Sequence, residues 1–280
     1  MVRRFLAPLL IALAIVGLFV GVGAFVLSGS FVDGIDSTND RVTDEGLDNF
    51  EVDEDFGEVA VYDVLADGTL DPQADGVTAQ VWELWVRLIG AETAGQSISQ
   101  FRAGDSPTSD TLAYVVQDED PQYFTLAVNL ATADDEQLLV STLVHEYAHV
   151  FSFGPGEFDA TAPSCDTIAL AEGCAGAGSY LWAFYDAFWA GYAEHPDLEN
   201  VDPDIAYDFY AANEDDFVSD YAATNPAEDF AESFMTFVIE DDWSAGSPTG
   251  AKLEFFTQYP ELVELRAQMR AGAARELGLG

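Results

Sequence analysis

The chain reads as an α+β, predominantly helical domain with a small sheet beside one motif-bearing helix, preceded by an N-terminal transmembrane helix. Three observations predict this. Most long segments carry apolar residues at helical spacing, only a few short runs alternate as strands do, and one uncharged apolar run stands at the N-terminus. With 280 residues, 49% hydrophobic and 13% aromatic, the chain holds one sizeable core, and disorder throughout is excluded. No internal repeat and no second motif-bearing domain is visible.

Arg3 and Arg4 precede an apolar run from Phe5 to Leu27, which as a helix reaches about 34 Å and spans a bilayer. The exit, Val26-Leu27-Ser28-Gly29-Ser30, lacks a clean small-x-small cleavage site. Residues 1–27 are therefore expected to be an uncleaved signal anchor with the arginines inside, leaving the rest of the chain outside the cytoplasm. Secretion after cleavage is the alternative. Residues 28–57 are rich in Asp and Glu, with Arg41 the only basic residue, and read as an acidic tether. The folded domain is expected over 58–280.

Within it, Val59 to Leu65 alternates as a strand, and Pro72 through Ile89 reads as a helix with Val81, Trp82, Trp85, Leu88 and Ile89 on one face. Two further strands are expected at Leu112–Val116 and Tyr123–Leu130, around the turn-forming Asp118-Glu119-Asp120-Pro121. Thr132-Ala133-Asp134-Asp135 resembles a capping box opening a helix that runs to about Phe153. Gly154-Pro155-Gly156 then breaks the chain. An aromatic helix follows over Ser179–Tyr192, read as core, with further helices near Asp204–Phe217, Pro226–Glu240 and Thr249–Leu277.

The net charge is -42, from 51 acidic and nine basic residues, with Lys252 the single lysine. Nucleic acid and anionic surfaces would be repelled and are not expected partners. The acidity reads equally as a solvated surface suited to high salt or as a composition bias. Cys165 and Cys174 are the only cysteines. Outside the cytoplasm they are expected to form a disulfide, free buried thiols being the alternative, and their spacing does not suit zinc.

The chemistry concentrates in His145-Glu146-Tyr147-Ala148-His149, which uses two of the three histidines in one H-E-x-x-H motif. On a helix, positions i and i+4 lie about 40° apart and about 6 Å along the axis, so both imidazoles reach one tetrahedral metal. Glu146 is placed to take a proton from a water on that metal. A strand followed by an H-E-x-x-H helix is the zincin order, in which an edge strand beside the metal pairs with an extended peptide.

A catalytic zinc needs a third protein ligand. The metzincin extension fails, because Ser152 and Pro155 stand where Gly and His are required. His195 lies in the polar turn Ala193-Glu194-His195-Pro196-Asp197 and is read as a surface histidine. A carboxylate is expected instead. Asn225 reads as an N-cap and Pro226 as the first helical residue, placing Glu228 and Glu232 on one face. Glu228 is the leading candidate, Glu232 the next, and Glu157 and Asp159 stand behind them. Glu228 could also be a simple capping-box carboxylate. Glu232 could accept the ring N–H of a ligand histidine and hold its tautomer, or be a solvated helix residue.

His145-Glu146-x-x-His149 followed by Tyr221-x-x-Thr224-Asn225-x-x-Glu228-x-Phe230-Ala231-Glu232-x-Phe234 resembles the gluzincin pattern of the anthrax lethal factor catalytic domain and the Pro-Pro endopeptidases. The resemblance covers the two motif helices and their order. It implies one catalytic Zn2+ held by His145, His149 and Glu228, with Glu146 as general base. It also implies that Glu232 supports a ligand from behind, and that the Tyr221 hydroxyl donates to the developing oxyanion. The departure is Tyr147-Ala148, where that group often has Gly before the second His.

The expected function is a membrane-anchored, extracytoplasmic zinc metalloendopeptidase acting on a peptide or protein substrate. The alternative is an inactive, zinc-stabilised surface binding module. A calcium-binding acidic surface protein finds no support, since no D-x-D-x-D-G loop is present. Cleavage specificity and oligomeric state are not encoded in these motifs.

Overall fold

The computed structural model describes residues 49–279. The expected signal anchor, and the tether up to residue 48, lie outside the described residues. Strands β1 (Phe50–Asp53) and β2 (Gly57–Val64) form an antiparallel hairpin, and β3 (Leu70–Asp71) pairs briefly with β2. Helices α1 (Gly76–Ile89) and α2 (Ala91–Ser97) lead into β4 (Ile98–Gly104), β5 (Ala113–Gln117) and β6 (Phe124–Asn129). The spatial order is β1-β2-β4-β6-β5, and only the β4–β6 pair is parallel. Strand β5 is thus an edge, antiparallel to its neighbour.

Two features of this sheet differ from the sequence reading. Ordered structure begins before residue 58, because β1 falls in the segment expected to be tether. Phe50 and Val52 are exposed, so β1 is a strand through its pairing with β2 and not through an apolar pattern of its own. The central β4 was not anticipated at all. A register shift between Ile98 and Gln100 breaks the alternation by which a strand is read.

One face of the sheet carries the cross-strand row Tyr62, Phe101, Leu126 and Val115, all buried under the helices. Trp82 of α1 packs on Phe101 at 5.1 Å between ring centroids. Helix α3 (Glu136–Ser152) lies beside β5 and α1, with Trp85 edge-on to Tyr147 at 5.7 Å. It begins later than expected. Leu130–Thr132 form a 3-10 turn capped by Asn129, and Asp135 caps α3 by accepting from the Leu138 N–H at 3.0 Å.

After α3 come β7 (Phe158–Asp159), β8 (Ala169–Leu170) and β9 (Gly173–Ala175), a small antiparallel sheet in the order β7-β9-β8. The Cys165–Cys174 disulfide joins the loop before β8 to β9, as expected. Next are α4 (Tyr180–Phe188), α5 (Pro203–Ala212), α6 (Pro226–Ile239), α7 (Pro248–Phe256) and α8 (Pro260–Gly272). The single helix expected over 249–277 is two, because Pro260 cannot continue α7 and opens α8 instead. Gly272 lets α8 approach α1 closely, since a side chain there would strike the Arg87 carbonyl. Among the described residues the fold is mixed α+β and 44% helical.

Helix α6 packs directly on α3. Phe151 of α3 meets Phe234 at 4.9 Å and Phe230 at 5.7 Å, and Phe184 of α4 closes on Phe230 at 5.5 Å. The aromatic helix is core only in part: Leu181, Phe184 and the following Trp189 are buried, while Trp182, Tyr185 and Phe188 are half-buried against them. This packing sets the two motif helices side by side.

Candidate metal centre

His145 and His149 stand one turn apart on the buried face of α3, and Glu228 faces them from the first turn of α6. The Nε2 atoms of the two histidines lie 3.1 Å apart, and Glu228 Oε2 is 3.2 Å from the first and 3.4 Å from the second. Donors at about 2.0–2.1 Å from a tetrahedral zinc are about 3.3–3.4 Å from one another. The three atoms match one face of such a tetrahedron, and the residues lie close enough to hold a metal ion. Glu228 Oε2 also has no hydrogen-bond partner despite these distances. A buried carboxylate oxygen left without a partner beside two imidazole nitrogens is one that a cation would satisfy.

Local sequence explains the placement of Glu228. Asn225 caps α6, its side chain accepting from the N–H groups of Ala227 and Glu228 at 2.9 and 3.0 Å, and Pro226 occupies the position where no N–H is needed. With that cap supplied by Asn225, the Glu228 carboxylate is free to face the histidines. Burial alone would raise its pKa, but the charge on His149 and the proximity of His145 hold it below the usual carboxylate range.

One turn further on, Glu232 Oε1 accepts from His145 Nδ1 at 2.8 Å. This orients the ring so that Nε2 lies beside His149 and Glu228. Glu232 Oε2 in turn accepts from the Ser219 hydroxyl at 2.6 Å, and Ser219 Oγ accepts from the Ala222 N–H at 3.0 Å. Ser219 was missed in the sequence, where a lone serine before the Tyr221 turn carries no signal.

Glu146 lies beside the donor triangle. Neither carboxylate oxygen has a hydrogen-bond partner, and the Val115 N–H of β5 approaches without hydrogen-bond geometry. Burial pushes its pKa up, and the neighbouring histidines only partly offset this. Tyr221 sits in the 3-10 turn Tyr221–Ala223, its ring 5.9 Å from that of His145. Burial, then the charges of Glu228, Glu146 and Glu232, push its pKa well above the usual phenol value, so the hydroxyl keeps its proton. All six residues, His145, Glu146, His149, Tyr221, Glu228 and Glu232, are buried, at 1% to 8% exposure.

The other candidates lie elsewhere. Glu157 accepts from the Tyr180 N–H at 2.8 Å, and Asp159 is engaged by Thr161 in an exposed turn. His195 is less exposed than expected and lies away from the donor triangle. It is half-buried, with Nδ1 2.6 Å from the Pro196 carbonyl oxygen and its ring edge-on to Trp189 at 5.8 Å.

Behind the site, Asp229 is fully buried and accepts from Lys252 Nζ at 2.5 Å, Trp189 Nε1 at 2.8 Å and Ser233 Oγ at 3.2 Å. Lys252 also lies over the Phe217 ring at 4.0 Å. The only lysine of the chain thus ties α7 to the helix that carries Glu228 and Glu232. Its solitude in so acidic a sequence was the available signal.

In front, a cleft open to solvent runs from His149 and Glu228 between β5 and the disulfide-closed hairpin. Comparison of the chain with protein-family models, with curated proteins and with solved structures gives no match.

Proposed function

We propose that this chain is a zincin-like, zinc-dependent metallopeptidase, with His145, His149 and Glu228 as metal ligands and peptides or proteins as substrates. The observation that carries the reading is the bare, buried carboxylate of Glu146 beside the donor triangle. A metal site that served only stability would have no use for an unpartnered acid at this position, and burying one is costly. When bound, a zinc ion supplies Lewis-acid polarisation of a carbonyl and makes a water acidic enough to attack near neutral pH.

The chain's own residues do the rest. Glu146 accepts the proton of the attacking water and hands it to the leaving amine, and its raised pKa brings it closer to the working range of a general base. Tyr221, held protonated, donates to the oxygen that gains charge as the carbonyl becomes tetrahedral. Glu232, held by Ser219, keeps the His145 ring in one orientation.

Strand β5 offers a place for the substrate backbone. Leu112 O accepts from the Asn129 N–H at 2.9 Å, and Asp118 N–H donates to Tyr123 O at 2.9 Å. By antiparallel alternation, Tyr114 and Val116 also spend their backbone groups on β6, while Ala113, Val115 and Gln117 turn theirs away from it. An extended peptide added along that edge would run past the metal ligands. The N-terminal apolar run would hold the enzyme in a membrane with this domain outside the cytoplasm.

The test is hydrolysis of a peptide library by the full chain. Cleavage should be abolished by a chelator and restored by added zinc. Cleavage that a chelator leaves untouched would contradict the assignment.

A further inference from the structure

The cavity beside His149 and Glu228 has a mixed lining. Its walls are apolar, formed by Val115, Phe124, Phe153, Leu170, Leu198 and Val201, yet Glu172 and Glu199 also line it, and no Lys or Arg does. Glu172 sits in the tight turn between Leu170 of β8 and Gly173 of β9, next to the disulfide cysteine Cys174. Its Oε2 is buried and has no hydrogen-bond partner. Glu199 is anchored differently, with Oε1 accepting from the Ala171 N–H at 2.8 Å, and it lies near enough to Glu172 for the two charges to repel. The hairpin therefore holds one unpaired acid against an apolar-walled cavity, with a second acid beside it.

We infer that this cavity is the subsite for a lysine or arginine side chain flanking the scissile bond, with Glu172 as the residue that selects it. The inference rests on the peptidase reading. Long cationic side chains carry an apolar stem and a charged head, which suits a hydrophobic passage ending at a carboxylate. A neutral aliphatic side chain would fill the same walls but leave the buried Glu172 Oε2 without a partner, which is the larger loss. An acidic side chain would add a third negative charge. A free metal ion is a poorer occupant, because the walls of Val115, Phe124, Phe153, Leu170, Leu198 and Val201 leave it too few oxygen donors for a closed shell.

The experiment compares kcat/KM of the full chain on peptides that differ only at the residue on either side of the scissile bond. Wild type should cleave the Lys or Arg peptide at least about ten-fold faster than the norleucine peptide at one of the two positions. Glu172→Gln should reduce that ratio to within about three-fold, and Glu172→Lys should turn the preference towards Asp or Glu. A ratio is insensitive to partial misfolding, which lowers both rates together. Cleavage with no basic preference in wild type, or with a preference that both variants retain, overturns the subsite assignment and leaves the peptidase reading standing. If no peptide of either kind is cleaved, the peptidase reading falls and the subsite with it.

Discussion

Glu232 and Lys252 show how single side chains fix this site from outside the donor triangle. Glu232 lies outside the donor triangle, but without it the His145 ring loses the acceptor that aligns it. Glu232→Ala should weaken metal affinity about 10- to 100-fold, measured by competition with a chromogenic chelator. Unchanged affinity would make Glu232 a bystander. Lys252→Met leaves Asp229 buried without its cation, at a cost of about 3–5 kcal/mol, read from the denaturant midpoint. Adding Asp229→Asn to that variant should recover part of the loss, because the unpaired charge is then gone. The two residues also differ in how far the sequence disclosed them. Glu232 was visible because it stands one helical turn from Glu228, a local relation. Lys252 pairs with Asp229 across 23 positions, and Ser219 reaches Glu232 across 13, so neither contact follows from spacing along one element.

At the scale of elements, α3 and α6 were legible because each carries its own instructions. The first has an apolar body around His145 and His149, and the second has Asn225-Pro226 as a start signal. Strand β4 was not, because its bulge destroys the alternation, and α7 and α8 were merged until Pro260 was seen to separate them. The capping residue of α3 shifted from Thr132 to Asp135 because Asn129 claimed the intervening turn. The disulfide hairpin has a role that cysteine spacing could not reveal, since it brings Leu170 and Glu172 to the cavity. Replacing Cys165 and Cys174 by Ser releases a loop with a sequence separation of 9. The expected loss is about 2–3 kcal/mol, seen as a lower melting temperature. If the subsite is as inferred, the double variant should also lose discrimination between basic and neutral peptides more than it loses overall turnover.

At the scale of the whole molecule, the dominant quantity is a net charge of -42. Among the described residues the arginines are engaged by acids or carbonyls. Arg87 and Arg275 hold Glu276, Arg270 meets Asp241, and Arg266 donates to the carbonyls of Phe237 and Glu240. Most of the acids therefore face one another across solvent, and their repulsion favours expansion. Raising monovalent salt from about 0.05 M to 1 M shortens the Debye length from more than 10 Å to about 3 Å. The melting temperature should rise with it, by about 2–4 °C for each kcal/mol of repulsion removed. A melting temperature indifferent to salt would show that the acids are spaced too widely to matter.

The central claim, that a metal held by His145, His149 and Glu228 works with Glu146 as base, is tested most directly by Glu146→Gln. The substitution keeps the size and helix preference of the side chain and removes its capacity to accept a proton. Metal content and peptide hydrolysis are then measured on the same preparation of the full chain. The account predicts one equivalent of metal, as in wild type, with hydrolysis reduced by at least about a hundred-fold. Hydrolysis at the wild-type rate in a metal-loaded Glu146→Gln protein would contradict it.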